Sequence, residues 1–148
     1  MFFWISLAQA QTDPIPSQQI DTVLITASRI KITLGRAPQA ISVFQASKIS
    51  ESRQQQSLQE YIQQMPGVFT QNANNYAQDL RISIRGFGSR AAFGIRGIKL
   101  IVDGIPETTP DGQGQLDNLN LGIIDRIEVI KGASSSLYGN ASGGVIQI

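Results

Sequence analysis

Leu80-Arg81-Ile82-Ser83-Ile84-Arg85, closed by Gly86-Phe87-Gly88, alternates apolar and polar side chains without a break. Successive side chains of a strand point to opposite faces, so Leu80, Ile82 and Ile84 share one face and Arg81, Ser83 and Arg85 the other. A strand of that kind needs a core under its apolar face, and the glycines that follow end it. Downstream, Ile98 to Val102 reads as an apolar strand closed by the turn signal Asp103-Gly104. Ile127-Glu128-Val129-Ile130 reads as another, and Val145-Ile146-Gln147-Ile148 as the start of a last one. Upstream, Ala40-Ile41-Ser42-Val43-Phe44 follows Pro38, and Val68-Phe69-Thr70 opens one more strand.

Helices are few and short. Ser57-Leu58-Gln59-Glu60 is a capping box, in which hydroxyl and carboxylate satisfy N–H groups at a helix start. Leu58, Tyr61, Ile62 and Met65 then fall on one helical face, and Pro66-Gly67 stops the helix. Ala46 to Ser52 and Ser134 to Tyr138 suit a short helix and a helical turn. The pattern predicts an α+β domain around a small mixed β-sheet. Asn72 to Gln78 reads as a polar loop, and the two loops at 86–97 and 105–118 are long for so small a domain; long loops tend to carry function.

Composition narrows the function. The chain has 148 residues, 41% hydrophobic and only 16% charged, with 14 Gly and a net charge of +1. About a quarter charged is usual, so the surface is polar but weakly charged, as suits a protein enclosed by something else. Near-neutral charge and little aromatic interleaving argue against a nucleic-acid partner. There is no Cys and no His. That removes thiolate chemistry, Ser-His pairs and the commonest metal ligand, and no catalytic, metal or cofactor site is predicted. The carboxylates Asp103 and Glu128 are the best acid pair on offer, and a turn and a strand explain both without chemistry.

The first residues, Met1 to Gln11, are apolar and end in Ala8-Gln9-Ala10, the pattern of a signal-peptide cleavage site, although the usual basic start is missing. A frayed apolar terminus is the alternative. Residues 11–20 are polar with Pro14 and Pro16, a flexible lead. It delivers Asp21-Thr22-Val23-Leu24-Ile25-Thr26-Ala27, a β-prone stretch with no evident sheet partner nearby.

Several segments now stand in a telling order: Ile84-Arg85-Gly86-Phe87-Gly88, Val102-Asp103-Gly104-Ile105-Pro106, Ile124 through Gly132, Leu137-Tyr138-Gly139 and Gly143-Gly144-Val145-Ile146. Together they resemble the plug domain of TonB-dependent outer-membrane receptors. Pro38 to Val43 and Leu58 to Val68 match that family's first strand and helix. The resemblance covers residues 21–148 and divides the chain into a signal-peptide remnant (1–10), a lead (11–35) and the plug domain (36–148).

The resemblance implies the plug fold with apical loops, a gating role in nutrient uptake and no enzyme activity. It implies that Asp21, Thr22, Val23, Leu24, Ile25, Thr26 and Ala27 form the TonB box presented to the partner TonB; an ordinary first strand is the alternative. Adding an unpaired strand to the edge of a partner's sheet is a recognised binding mode. It further implies that Arg85 and Lys131 face glutamates of a barrel wall, unless both are solvated strand ends. Lys131 departs from the commoner Arg and lacks its bidentate fork; Ala133 stands where Pro is usual. The loop residues Arg90, Arg96, Asp111 and Gln113 are expected to face substrate, with the two arginines suited to an anionic ligand, unless they are merely bathed in water. The run from Asn75 to Leu80, with Pro110 to Gln115, resembles receptors for pyrroloquinoline quinone; ferric-chelate receptors are the other type implied. A transmembrane β-barrel of about 22 strands of roughly ten residues each is the expected second half, with the outer membrane as location. A stand-alone periplasmic binding module or a truncated relic is the alternative function.

Overall fold

Short β-branched runs separated by glycines give many short strands. The computed structural model describes residues 23–26, 32–45, 57–71 and 78–148. In chain order they form β1 (Leu24–Ile25), β2 (Ile32–Thr33), β3 (Ala40–Gln45), α1 (Gln59–Ile62), β4 (Val68–Gln71), β5 (Arg81–Ile84), β6 (Ile95–Arg96), β7 (Ile98–Val102), β8 (Ile105–Pro106), β9 (Gln113–Gly114), β10 (Arg126–Lys131), α2 (Ser135–Tyr138) and β11 (Gly144–Gln147). The expected leader, residues 11–22 and 27–31 of the lead (Asp21, Thr22 and Ala27 among them), the 46–52 helix and most of the 72–78 loop lie outside the described residues.

The main sheet has five strands in the order β3-β10-β11-β7-β8, mixed because β11 and β7 run parallel. Pro106 sits on the edge strand β8, where its missing N–H costs no ladder bond. Period-two alternation splits the apolar side chains between two layers. Ile127 and Val129 of β10, Ile146 of β11 and Ile98 and Leu100 of β7 join α1, β4 and β5 in the larger core. Ile130, Val145 and Ile101 point the other way, to a thinner layer with Ile25 and Tyr138.

The clean alternation at 80–85 holds: Leu80, Ile82 and Ile84 are buried, and β5 pairs antiparallel with β4. The expected face of Leu58, Tyr61, Ile62 and Met65 is buried too, but the helix itself is a single turn. The Ser57 hydroxyl accepts from the Gln59 N–H at 3.2 Å, one residue earlier than a capping box requires. Neither long loop is structureless. β6 pairs with β9, Ile95 opposite Gly114 and Arg96 opposite Gln113, and β8 pairs back on β7. Two-residue ladders are too short to leave a periodic pattern, which hid them in the sequence.

Register fixes two ends. Gln45 and Arg126 meet at the lower end of the sheet, where the β7–β8 hairpin also turns at Asp103-Gly104. Ala40, Lys131, Gly144 and Ile98 line the upper end, above which lie the 86–97 and 108–114 loops.

Candidate functional site

At the lower end, β1 is neither alone nor free. It pairs with β2, Leu24 opposite Thr33 and Ile25 opposite Ile32, and Leu34 N–H donates to Val23 O at 3.0 Å. The expectation of an unpartnered strand is therefore corrected. Ile32-Thr33 is itself β-prone and supplies β1 with an antiparallel partner. Ile25 is fully buried in the thinner core, a contact of about 1.5–3 kcal/mol. The ribbon nevertheless stays outside the five-stranded sheet.

Side chains of β10 and β11 hold it there. Glu128, 1% exposed, accepts from Thr26 N–H at 3.0 and 3.2 Å and from Thr26 Oγ1 at 3.2 Å. Arg126 donates through Nη1 to Leu24 O at 2.9 Å, and its Nε lies 3.1 Å from Glu128 Oε1. Gln147 Nε2 donates to Thr26 Oγ1 at 3.3 Å. A buried carboxylate is tolerable only when paired and hydrogen-bonded, and this one is both. These bonds tie Glu128 to the ribbon, while Asp103 stands exposed in the hairpin turn and lines a hollow with Asp125 and Glu128.

At the upper end, Arg85 takes a left-handed backbone (φ 51°) just past β5, with its N–H on Gly67 O at 2.9 Å. Burial pushes the Lys131 ammonium down from its ordinary value, and the nearby Arg85 charge pushes it the same way. Among the described residues neither cation has a salt-bridge partner.

Above them opens a cleft of about 710 Å³ lined by Phe87, Arg90, Arg96, Asp111 and Asn140, among others. Three of the expected substrate-facing residues are thus brought together. The fourth, Gln113, lines a separate hollow with Asp79 and Glu107. Asp111 is held below the ordinary carboxylate range first by the Thr109 hydroxyl and, more weakly, by Arg96. Arg96 is the smallest of the influences on Asp111, and both line the cleft with Arg90. Gly97 ties the walls: its N–H donates to Gly112 O at 3.2 Å, and its carbonyl accepts from Gly143 N–H at 2.9 Å.

Sequence reading missed Arg126, Asn140 and the holding role of Glu128. The signal for Glu128 was present: a charge inside the apolar run Ile127 to Ile130 belongs to a buried strand, where a carboxylate needs a partner.

Comparison with known proteins agrees with this architecture. Residues 33–145 match the family described as TonB-dependent Receptor Plug Domain. The vitamin B12 transporter BtuB of Vibrio vulnificus is 31% identical over 132 residues, covering 88% of this chain and 21% of that protein. The iron-regulated outer membrane virulence protein of Vibrio cholerae is 34% identical over 139 residues, covering 86% and 20% respectively. Among solved structures, a ferric enterobactin receptor (PfeA) mutant from Pseudomonas aeruginosa superposes with a TM-score of 0.56 at 28% identity, over 76% of this chain and 17% of that one. The ferric yersiniabactin uptake receptor FyuA from Yersinia pestis gives 0.53 at 26% identity, over 74% and 16%. The chain spans about a fifth of the length of the curated relatives it matches. These relatives are named as transporters, receptors or a virulence protein, and none as an enzyme.

Proposed function

This chain belongs to the TonB-dependent receptor plug domain family, and on that premise we propose that it is the gate of an outer-membrane receptor for energy-coupled uptake of a small, scarce nutrient, without enzyme activity. Residues 21–27 are its grip for TonB. Arg85 and Lys131 are cations awaiting acidic side chains of a surrounding barrel. The upper cleft meets the nutrient, and its arginines favour an anionic one such as a ferric chelate or pyrroloquinoline quinone.

One observation carries this reading: the strap around β1 and the cleft occupy opposite ends of a single sheet. The six residues of β10, at about 3.3 Å each, separate the ends by roughly 20 Å. A pull at the lower end is delivered through Arg126 and Glu128 to β10, whose other end is Lys131. That is the arrangement a gate opened from one side and loaded from the other requires.

The experiment is capture of this chain by a purified TonB C-terminal domain, with Leu24→Pro as the variant. Proline removes the N–H and disfavours the extended pairing that strand addition uses. Loss of capture supports the assignment; undiminished capture of the proline variant refutes it.

A further inference from the structure

The backbone of the short ribbon has two edges, and they are occupied by different chemistry. Neighbouring residues of a strand direct their main-chain groups to opposite sides. Val23 and Ile25 face β2: Val23 O accepts from Leu34 N–H at 3.0 Å, and Ile25 stands opposite Ile32. Leu24 and Thr26 face away from β2, and an incoming strand would have to offer a donor to Leu24 O and an acceptor to Thr26 N–H.

Those two positions are already filled, by side chains. Arg126 Nη1 supplies the donor, 2.9 Å from Leu24 O, and the Glu128 carboxylate supplies the acceptor, 3.0 Å from Thr26 N. Arg126 and Glu128 are i and i+2 on one strand, so their side chains leave the same face, and the 3.1 Å ion pair locks the donor and acceptor in register. Gln147 and Arg126 Nη2 hold the Thr26 hydroxyl at 3.3 and 3.4 Å.

We propose that Arg126 and Glu128 form a side-chain imitation of a β-strand that masks the outer edge of residues 24–26, so that strand addition by a partner's sheet requires this ion pair to let go. The mask rests on the reading of residues 21–27 as the segment a partner grips, but it has a consequence independent of any partner. Bonds to a buried, charge-bearing carboxylate protect the Thr26 amide. The device also explains why a carboxylate stands in the middle of an apolar strand: a neutral residue there leaves the edge open.

The test uses the full chain with Glu128→Gln, which keeps the volume but cancels the ion pair, and Arg126→Met, which removes the donor to Leu24 O while leaving the carboxylate. Far-ultraviolet circular dichroism and a cooperative melt establish that each variant is folded. Amide hydrogen exchange is read at Thr26, and affinity is read with a purified TonB C-terminal domain. Bonds to charged groups of this kind correspond to roughly tenfold or more in an equilibrium, so the Thr26 amide is expected to exchange about tenfold faster in Glu128→Gln and the TonB fragment to bind tighter by a similar factor. Arg126→Met shifts both in the same direction. Thr26 exchange unchanged in both folded variants overturns the mask. Faster exchange with unaltered affinity, in a chain that does bind the fragment, overturns its role as the barrier to strand addition. Faster exchange with no binding by any form leaves the mask standing and refutes instead the reading of 21–27 as a TonB grip.

Discussion

The Asp117 carboxylate accepts the backbone N–H of Leu80 at 3.2 Å across 37 residues, pinning the loop before β10 to the first residue of the buried face of β5. Leu80 is 2% exposed, so its N–H needs this partner, and the partner needs to stay in place. Burial pushes the Asp117 carboxyl above its ordinary value, and the adjacent Asp79 carboxylate pushes it further the same way.

A stability dependence on pH follows. A carboxyl with a raised value in the folded state binds its proton more tightly there than in the unfolded chain. Its contribution is fully present below the unfolded value, near 3.8, and is lost as pH rises through the folded one. Asp117→Asn removes the charge and keeps an acceptor for Leu80, so its melting temperature should lose this fall across the window just above 3.8. At pH 7 it should equal or exceed wild type, by up to about 1 kcal/mol for so exposed a pair. Melting curves from pH 3 to 7 check it; parallel profiles for the two proteins contradict it.

Lys131 gives the second prediction. Its ammonium is disfavoured by burial and by Arg85, so the folded state carries a cost wherever the lysine is charged. The cost is fully present below the folded value and is relieved as pH rises past it. Lys131→Met should therefore raise the stability of this chain by itself, by roughly 0.5 kcal/mol, the order seen for like charges held together at a surface. If acidic barrel residues are the intended partners, the same substitution should weaken association with the barrel. Chemical denaturation of the chain alone and a reconstitution assay read the two effects; a stability loss in the first would show that Lys131 has a favourable partner already.

Gly144 gives the third. Its φ is +143°, in a strand of the main sheet, and a Cβ there would run into the carbonyl oxygen of Ile130 on the neighbouring strand. Backbone cannot yield as a flexible side chain can. Gly144→Ala should cost at least about 1–3 kcal/mol from conformation alone, seen as a lower denaturation midpoint with an unchanged slope. Gly35, which has nothing within 4 Å of such a Cβ, is the matched control and should tolerate alanine.

What the sequence made legible has a physical boundary. The longer strands, β3, β4, β5, β7, β10 and β11, were readable because each carries enough apolar residues to show its character, as Leu80, Ile82 and Ile84 do around β5. β1 was legible as a β-prone stretch but its partner β2 was not, nor were β6, β8 and β9, because two residues cannot display a period and their pairing is set by tertiary packing. The loops carrying Arg90, Arg96 and Asp111 were identified, but the neighbour of each charge was not. That Asp111 accepts from Thr109 and shares a cleft with Arg96 depends on how β9 returns beside β6. Glu128 was visible as an anomaly, yet its partner Thr26 lies 102 residues away, beyond any local pattern.

The cleft supplies the last prediction. Arg90 and Arg96 share it with Asp111, which is kept ionised by the Thr109 hydroxyl and, to a lesser degree, by Arg96. For an anionic ligand the carboxylate is a competitor: it repels the ligand and lies within the field of Arg96. Arg90→Ala should therefore weaken binding of a ferric chelate or pyrroloquinoline quinone by roughly tenfold, the usual scale for one charge-assisted contact. Arg96→Ala should weaken it less, because the Asp111 carboxylate lies within the field of Arg96. Asp111→Asn keeps the Thr109 contact, removes the repulsion and should tighten binding. Isothermal titration at two salt concentrations separates charge from shape, since the differences between variants should shrink as screening rises. If Asp111→Asn weakens binding instead, the aspartate contacts the ligand itself, and the ligand presents a cation or a hydrogen-bond donor to this cleft.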